Sequence, residues 1–364
     1  MRMNQKAVSS VVIAIIVIAL VGVVAISAAF VAFSNDESDG TIIDGAGRKV
    51  TVESSDRIAS TSATVTEMVC GLGGYSKLAG VTVDTNPYTV QEYIIGMPND
   101  GFPGSILSGL SNNTIKDLGG MYLIAAESIL LCNPDVVIMG GYFNSDATIS
   151  QLESMGIPVV ICKDDNSLDN IYFNIELIGK VIGKESEADK LVDQMKSAIG
   201  KVVNWTKSLK ADSPEVAVFM GYGSEYGTYA CGQTYLMGTP LIKMLGGTNS
   251  FSDLSGMYAI VNTEAIVNAN PDIILDMSPV SAAELNSIKT NSVTKSLNAA
   301  VNDRIYGTFS PSSSAFTMTT QGFVNTVAMM AMFMYEDKLN FEINHFFGDN
   351  YTDYLKLFWT QINS

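Results

Sequence analysis

Arginine and histidine are scarce in this 364-residue chain. It has one histidine, His345, and its only arginines are Arg2, Arg48, Arg57 and Arg304. The formal net charge is −16, and a surface this acidic repels phosphate backbones, so we expect no nucleic acid partner. With a single histidine, the chain has no evident source of the acid–base or triad chemistry on which many enzymes depend.

The usual sequence motifs of catalysis and metal binding are also missing. We find no G-x-S-x-G elbow, no Walker loop and no H-E-x-x-H. The cysteines have neither C-x-x-C spacing nor histidines beside them, which argues against zinc. The sequence therefore favours a protein that is not an enzyme and has no cofactor or metal of its own. A disulfide and buried free thiols both remain open for Cys70, Cys132, Cys162 and Cys231.

One long apolar run stands near the N-terminus. Residues 7–33 contain no charge, and as a helix they reach roughly 40 Å, which is enough to cross a bilayer. Arg2 and Lys6 precede the run and carboxylates follow it, which predicts a cytoplasmic N-terminus and an external remainder. We expect residues 1–35 to anchor the protein in the cell membrane as a transmembrane helix, with a cleaved signal peptide as the alternative.

Short aliphatic runs alternate with helical segments along the remainder, as in parallel sheets that are covered on both faces. "DGAGRKVTV" predicts a hairpin, "RIAST" a strand, and "TVTEMVCGLGG" a helix whose Thr64 and Glu67 have capping-box spacing. About 330 residues are more than one hydrophobic core normally holds. We expect two doubly wound α/β lobes, residues 36–167 and residues 211–364, the second of which ends in helices.

The segment between these lobes is helical in character throughout. Apolar residues recur at three- and four-residue steps from Ala188 to Val202. A helix of about 26 residues reaches roughly 39 Å, which is long enough to bridge two lobes. We therefore assign residues 168–210 to a helical segment that includes a single, long, rigid inter-lobe helix.

An internal repeat supports the two-lobe interpretation. "GGMYLIAAESILLCNPDVVIMG" begins at Gly119, and "SGMYAIVNTEAIVNANPDIILDM" begins at Ser255. Both copies contain Gly-Met-Tyr, a Glu and an Asn-Pro-Asp triplet in the same order. Two copies are too few for a solenoid and suggest two lobes of similar build. The triplets are typical of turns, because proline stops a helix while Asn and Asp satisfy backbone groups.

The hairpin, strand and helix quoted above, followed by "ESILLCNPDVVI" and "LESMGIPVVIC", resemble the class III periplasmic-type binding proteins of ABC importers. The resemblance extends from Thr41 to about Gly322. That family takes up iron–siderophore complexes, haem and vitamin B12. The resemblance implies two lobes joined by one rigid helix, a ligand held in the cleft between them and only modest lobe movement. It also implies an ABC permease dimer with its ATPase as partners.

The repeat supplies candidates for docking onto that permease. In the family, one surface Glu on each lobe docks onto arginines of the permease dimer. Glu127 and Glu264 occupy the matching places in the two copies of the repeat. Their alternative role is that of first-turn residues favoured by the helix dipole.

The carboxyl ends of the predicted strands select the candidate ligand-binding residues, because ligands of doubly wound sheets gather there. Many are tyrosines, whose flat apolar face and polar tip suit a bulky, partly polar ligand. The set is Ser62, Thr64, Asp84, Tyr88, Met121, Tyr122, Tyr142, Phe143, Tyr222, Tyr226, Met257, Tyr258 and Ser310.

Two absences reduce the number of ligand classes of this family that remain candidates. The candidate loops contain no arginine, which anionic catecholate siderophores call for. His345 lies outside the predicted cleft, so a haem would need Tyr or Met as its axial ligand. We therefore expect a neutral iron–hydroxamate chelate, with a corrinoid or haem as alternatives. A tethered adhesion module, whose tyrosine-rich loops bind a protein or glycan, is the alternative from another class.

Overall fold

The computed structural model describes residues 40–82, 106–120, 124–141, 145–223, 227–256, 258–277, 282–308, 320–347 and 351–364. Within these ranges no helix has both the length and the apolar character needed to cross a membrane. The predicted anchor, residues 1–35, lies outside them.

The first lobe contains a small hairpin and a five-stranded sheet. Its strands are β1 (Thr41–Ile43), β2 (Lys49–Thr51), β3 (Ile58–Ser60), β4 (Leu78–Val81), β5 (Lys116–Asp117), β6 (Val136–Met139) and β7 (Val159–Ile161). Its helices are α1 (Ala63–Gly71), α2 (Ile106–Ser111), α3 (Ala126–Leu130) and α4 (Asp146–Ser154), with a 3-10 turn at Tyr75–Lys77. Strands β1 and β2 pair antiparallel, as predicted. The sheet is parallel, and its order, β5-β4-β3-β6-β7, is the doubly wound order that the sequence predicts.

The strands of this sheet are aliphatic because both of its faces are covered. Every residue of β3, β4, β6 and β7 is buried. Ile58 and Ile138 point into one apolar core, and Ala59 and Val137 point into a second core on the opposite face. Covered parallel strands therefore lack the polar alternation of a half-exposed sheet.

The second lobe has a mixed sheet. Its strands are β8 (Glu215–Phe219), β9 (Thr228–Cys231), β10 (Thr248–Asn249), β11 (Tyr258–Val261), β12 (Ile273–Asp276), β13 (Ile305–Thr308) and β14 (Phe346–Phe347). Its helices are α7 (Thr239–Met244), α8 (Thr263–Ala269), α9 (Ala282–Thr290), α10 (Asn298–Val301), α11 (Phe323–Met334) and α12 (Tyr351–Ile362), with 3-10 turns at Thr294–Ser296 and Glu336–Lys338. The order is β11-β9-β8-β12-β13-β14, and β10 also pairs with β8.

The prediction of a doubly wound second lobe is therefore only partly right. Strands β8, β12, β13 and β14 are parallel, but β9 runs antiparallel to both β8 and β11. The connection between β8 and β9 is residues 220–227, which is too short for the crossover that parallel neighbours need. A short connection thus forces an antiparallel pair at this edge of the sheet.

Two helices occupy the segment between the sheets. They are α5 (Leu168–Ile182) and α6 (Glu185–Ser208), separated by Gly183 at a φ of 69°. The 24 residues of α6 span roughly 36 Å, and its buried face runs from Ala188 to Val202, as predicted. Helix α11, in which every residue is buried, packs against α6. One apolar core continues from the first sheet through these helices to the second sheet.

All four cysteines are buried and none forms a disulfide. Of the two states that the sequence left open, the structure has the free thiols. Burial raises the pKa of Cys70 and Cys162 to about 12 and that of Cys132 to about 11. Buried thiols of this kind behave as small apolar side chains.

Candidate functional site

A cavity of about 110 Å³ lies at the carboxyl ends of β3, β6 and β7. Strands β3 and β6 are neighbours at the point where the strand order of the sheet reverses, which is where doubly wound folds bind ligands. The polar and charged groups around it come from the segments that follow these three strands and from helix α5. The lining residues are Ser62, Thr64, Val65, Met68, Gly140, Gly141, Cys162, Lys163, Asp165 and Asn174.

Helix α1 begins at this cavity. Ser62 is its N-cap, with extended backbone, and its hydroxyl accepts a hydrogen bond from the Val65 N–H at 3.3 Å. The Ser62 and Thr64 hydroxyl oxygens are 3.0 Å apart. The predicted capping box is therefore wrong, because the cap stands two residues before Thr64, and Glu67 is fully buried instead of capping the helix.

Two glycines allow the strand ends to approach each other. A Cβ on Gly140 would lie 2.8 Å from the Ser62 hydroxyl oxygen. A Cβ on Gly141 would lie 2.4 Å from the backbone nitrogen of Asp164. Neither contact is possible for real atoms, so any larger residue here would push the three loops apart and change the cavity.

The loop after β7 contributes the charges. The side-chain amide of Asn174 binds the backbone of Lys163 twice. Its oxygen accepts a hydrogen bond from the Lys163 N–H at 2.8 Å, and its nitrogen donates one to the Lys163 carbonyl at 3.0 Å. The ammonium of Lys163 lies 4.0 Å from the centre of the Phe173 ring. Sequence reasoning missed Lys163 and Asp165, although both follow a predicted strand end and the same rule would have found them.

A buried carboxylate organises the corresponding strand ends of the second lobe. Asp276, at the end of β12, accepts hydrogen bonds from the N–H groups of Gly221 at 3.1 Å and Tyr222 at 2.8 Å. It thereby fixes the turn that follows β8. The Tyr222 ring packs on Phe219 at 5.9 Å between centroids, and burial raises the pKa of the Tyr222 hydroxyl.

Two tyrosines of the second lobe form a ring pair. The rings of Tyr235 and Tyr258 are 5.0 Å apart between centroids. Tyr235 is buried, and the pKa of its hydroxyl is raised well above the ordinary value, mainly by burial and next by Tyr258. Asp165 of the first lobe also raises it, so the charge of a residue that lines the cavity acts on this tyrosine across the lobes.

Four of the predicted ligand residues are described. Ser62 and Thr64 line the cavity, Tyr258 belongs to the tyrosine pair, and Tyr222 lies in the turn fixed by Asp276. The other predicted residues lie outside the described ranges, namely Asp84, Tyr88, Met121, Tyr122, Tyr142, Phe143, Tyr226, Met257 and Ser310. In the part of the chain that is described, no three or more His, Cys, Asp or Glu side chains group as metal ligands would.

The repeat has the same local structure in both lobes. Glu127 stands in the first turn of α3 and Glu264 in the first turn of α8, and both are exposed. Asn133 and Asn270 follow these helices with left-handed φ values of 45° and 41°. At Asn270 this conformation caps α8, whereas α3 already ends at Leu130 and Asn133 turns the chain beyond its C-cap. Asparagine adopts it more readily than most residues.

The aspartates of the two Asn-Pro-Asp triplets bind the start of the neighbouring strand. The Asp135 carboxylate accepts a hydrogen bond from the Arg57 N–H at 3.0 Å, and that of Asp272 accepts one from the Glu215 N–H at 3.1 Å. Arg57 immediately precedes β3, and Glu215 begins β8. The triplets are thus structural, as predicted, but their aspartates satisfy backbone groups of the neighbouring strand rather than of their own turn.

Two α/β lobes, a joining helix and a cavity at a strand-order reversal define a two-lobed binding protein. The chain belongs to the periplasmic binding protein family, whose model matches residues 58–311. This is a family of binding proteins rather than enzymes.

Individual relatives are distant. The chain is similar to YvrC, an uncharacterized ABC transporter substrate-binding lipoprotein of Bacillus subtilis (strain 168), at 27% identity over 73% of this chain and 77% of the relative. It is 28% identical to the high-affinity haem uptake system protein IsdE of Staphylococcus aureus (strain MRSA252), over 39% of this chain and 49% of IsdE. The fold is similar to that of the periplasmic haem-binding protein RhuT from Roseiflexus sp. RS-1, with a TM-score of 0.60 and 18% identity over 78% of this chain and 99% of RhuT.

Proposed function

We propose that this protein captures a metal chelate between its lobes, outside the cytoplasm, and delivers it to an ABC permease. The observation that carries the proposal is the cavity at the strand-order reversal, bordered by Ser62, Thr64 and Lys163 and close to Tyr235 of the other lobe. A whole metal chelate needs several times more space than this cavity offers. The cavity's volume of about 110 Å³ therefore suits one substituent of the chelate.

We infer that the cargo is an iron chelate, and haem is the first candidate. IsdE and RhuT, by their names, act on haem, and the Lys163 ammonium beside the cavity would pair with a carboxylate such as a haem propionate. A neutral iron–hydroxamate, the ligand expected from the sequence, is the second candidate. The lack of arginine in the candidate cleft loops favours it.

A spectroscopic titration tests the cargo. The full-length chain, purified in detergent, is titrated with haemin, with iron-loaded desferrioxamine E, which is cyclic and neutral, and with cyanocobalamin while its absorption spectrum is recorded. We expect a stoichiometric shift with haemin or with the hydroxamate. A shift with cyanocobalamin alone would move the assignment to a corrinoid, and no shift with any of the three would overturn the metal-chelate proposal.

Lys163 distinguishes the two iron chelates. Lys163→Ala should weaken haemin binding about tenfold, because one charge-assisted contact is lost, and should leave the neutral hydroxamate unaffected. Lys196→Ala is the matched control, since Lys196 also lies over an aromatic ring, that of Tyr172, but does not line the cavity. Equal losses in both variants would contradict the assignment.

We propose further that Glu127 and Glu264 dock onto the permease. They stand at equivalent, exposed positions of the two lobes, so each lobe would offer the same carboxylate to a two-fold symmetric partner. Such charges steer encounter and set register more than they add affinity. Reversing both to lysine should abolish uptake while chelate affinity stays unchanged. The control reverses Glu53 and Glu342, one exposed carboxylate in each lobe, and should keep uptake intact.

We also propose that residues 1–35 hold the protein at the cell membrane as a transmembrane helix. The length of the uncharged run supports the transmembrane helix. The lipoprotein name of the Bacillus subtilis relative supports the membrane location alone, because a lipoprotein is held by a lipid rather than by a helix. We also propose the domain limits expected from the sequence, with lobes at residues 36–167 and 211–364. Intact mass measurement of the membrane-extracted protein decides between the anchor and a cleaved signal peptide.

A further inference from the structure

One carboxyl group of the first lobe is buried where the two lobes meet. Glu67 lies in α1 and is completely inaccessible to solvent. Its backbone carbonyl accepts a hydrogen bond from the side-chain amide of Gln321 at 2.8 Å, and its side chain interacts with the Thr320 hydroxyl. Thr320 and Gln321 belong to the second lobe and lead into α11. Glu67 is therefore covered by the second lobe.

Among the described residues, no cation acts on this carboxyl group. Neither of its oxygens has a hydrogen-bond partner of good geometry among the described residues. The second lobe offers it only the uncharged Thr320 and Gln321, and the titratable neighbour on its own helix is Cys70. Strands β3 and β4 and helix α5 also pack on α1, and no charged group of theirs in the described chain affects the pKa of Glu67.

A buried, unpaired carboxylate is costly, so such a group takes up a proton. Burial raises the pKa of Glu67 from its ordinary value of 4.5 to about 8, and the Thr320 hydroxyl opposes this only weakly. We therefore expect Glu67 to be largely protonated at pH 7. It becomes a charge in the lobe junction only in alkaline solution.

The same helix connects this junction to the cavity. Ser62, Thr64, Val65 and Met68 of the α1 region line the cavity, and Glu67 stands beside Met68 in the chain. The approach of the second lobe also depends on Gly71 at the end of α1, where a Cβ would lie 2.5 Å from the Gln321 side-chain nitrogen. A displacement of Thr320 and Gln321 from α1 therefore acts on the helix that borders the ligand.

We propose that Glu67 is a positioning residue for ligand capture: as a neutral acid it lets the second lobe rest on α1, and as a carboxylate it loosens that junction and weakens binding. This inference rests on the proposed function, because it names a residue that shapes the proposed site. It predicts a protein that binds its chelate well at neutral pH and poorly in alkaline solution.

The first test is the pH profile of affinity in the full-length chain. Haemin and iron-loaded desferrioxamine are titrated into the wild type and into Glu67→Gln between pH 6.5 and pH 9.5. We expect wild-type affinity to fall about tenfold across this range and Glu67→Gln to show no such fall. Changes that arise in the probe itself appear in both proteins. Parallel profiles would overturn the proposal.

Glu176→Gln is the matched control. Burial also raises the pKa of Glu176, but this residue lies on α5, where charged residues of α6 act on it. Its amide variant should keep the wild-type pH profile of binding. If Glu176→Gln flattened the binding profile as Glu67→Gln is expected to, the effect would be a general property of buried carboxylates, and the specific role of Glu67 would be refuted.

Two further measurements do not need a ligand. Hydrogen exchange of residues 320–334, corrected for intrinsic rates, should accelerate in the wild type from pH 6.5 to pH 9.5 and stay constant in Glu67→Gln. If the wild type binds neither probe, the proposed function fails, and the hydrogen exchange still tests whether ionised Glu67 loosens the lobe junction.

If Glu67→Gln does not fold, infrared spectroscopy of the wild type tests the protonation of Glu67. The wild type should show the carbonyl band of a protonated carboxylic acid at pH 7, and the absence of this band would refute the neutral acid.

Discussion

The two copies of the repeat have the same local geometry, but different hydrogen bonds stabilise it in each lobe. Each has an exposed Glu in the first turn of a short helix, a left-handed Asn after the helix and an Asp that binds the next strand. In the first lobe, Arg57 donates to the carbonyls of Cys132 and Asn133. In the second lobe, Asn298 binds the side chains of Asn270 and Asp272. The repeat thus specifies the turn, while each lobe secures it with a different residue.

The helix starts differ as well. Asn262 caps α8, and its side-chain oxygen accepts from the Ala265 N–H at 2.8 Å. The corresponding residue before α3 is Ala125, which offers no capping side chain. Conversely, the Glu127 carboxylate is held by Gln151 at 3.2 Å, whereas no described residue gives Glu264 such a hydrogen bond. The first turn of the helix is therefore stabilised by a capping side chain in the second lobe and by a contact from a neighbouring helix in the first.

The largest expected difference concerns the residues that secure the turns. Arg57→Ala should lower the free energy of unfolding by about 1 to 2 kcal/mol, because it removes charged donors from two carbonyls. Asn298→Ala should cost less, about 0.5 to 1 kcal/mol, because it removes one exposed side-chain donor, that to the Asp272 carboxylate, instead of two. Urea denaturation measures both. Equal losses would mean that the charge of Arg57 adds nothing to the first turn.

Each change to a helix cap should have a smaller effect than Arg57→Ala. Asn262→Ala should cost about 1 kcal/mol, and Ala125→Asn should gain up to about 1 kcal/mol, because Ala125 already has the extended backbone that a cap requires. The same denaturation measurement applies. A gain at Ala125 that fails to appear would show that α3 is limited by its packing rather than by its missing cap.

The smallest expected effect is on the carboxylate of the first lobe. The backbone N–H of Glu127 and the amide of Gln151 hold the pKa of Glu127 below its ordinary value. Gln151→Ala should raise this pKa toward the ordinary value and leave stability nearly unchanged, since Glu127 is exposed. Carbon-detected NMR of the side-chain carboxyl follows the titration. An unchanged pKa would leave the backbone as its only cause.

Regular patterns made much of this fold predictable. The three- and four-residue spacing from Ala188 to Val202 predicted the buried face of α6, and the aliphatic runs predicted the parallel strands of the first sheet. The antiparallel β9 was missed because its Gly- and Tyr-rich surroundings hide a short strand. The length of the β8–β9 connection, not its composition, decides the strand direction.

The site was less predictable because distant contacts determine it. Thr64 and Glu67 satisfy the local capping rule, but the second lobe covers Glu67, and Ser62 caps the helix instead. No pattern within ten residues of Glu67 reveals that Thr320 and Gln321 will cover it. Ser62 and Thr64 could be selected because the end of a strand is visible in sequence. Gly140 and Gly141 matter only through a close approach that the fold creates.

The burial of all four cysteines has a practical consequence. Because their thiols are shielded and the pKa of each is raised, reagents that modify exposed thiols should leave the native chain unlabelled near neutral pH. The native cysteines of the wild-type protein should therefore give no background labelling when a cysteine is introduced for a site-specific probe. Cysteines could be introduced at Glu53 and Glu342, which are exposed positions of the two lobes. The distance between spectroscopic labels on these cysteines would then report how the separation of the lobes changes as a chelate binds.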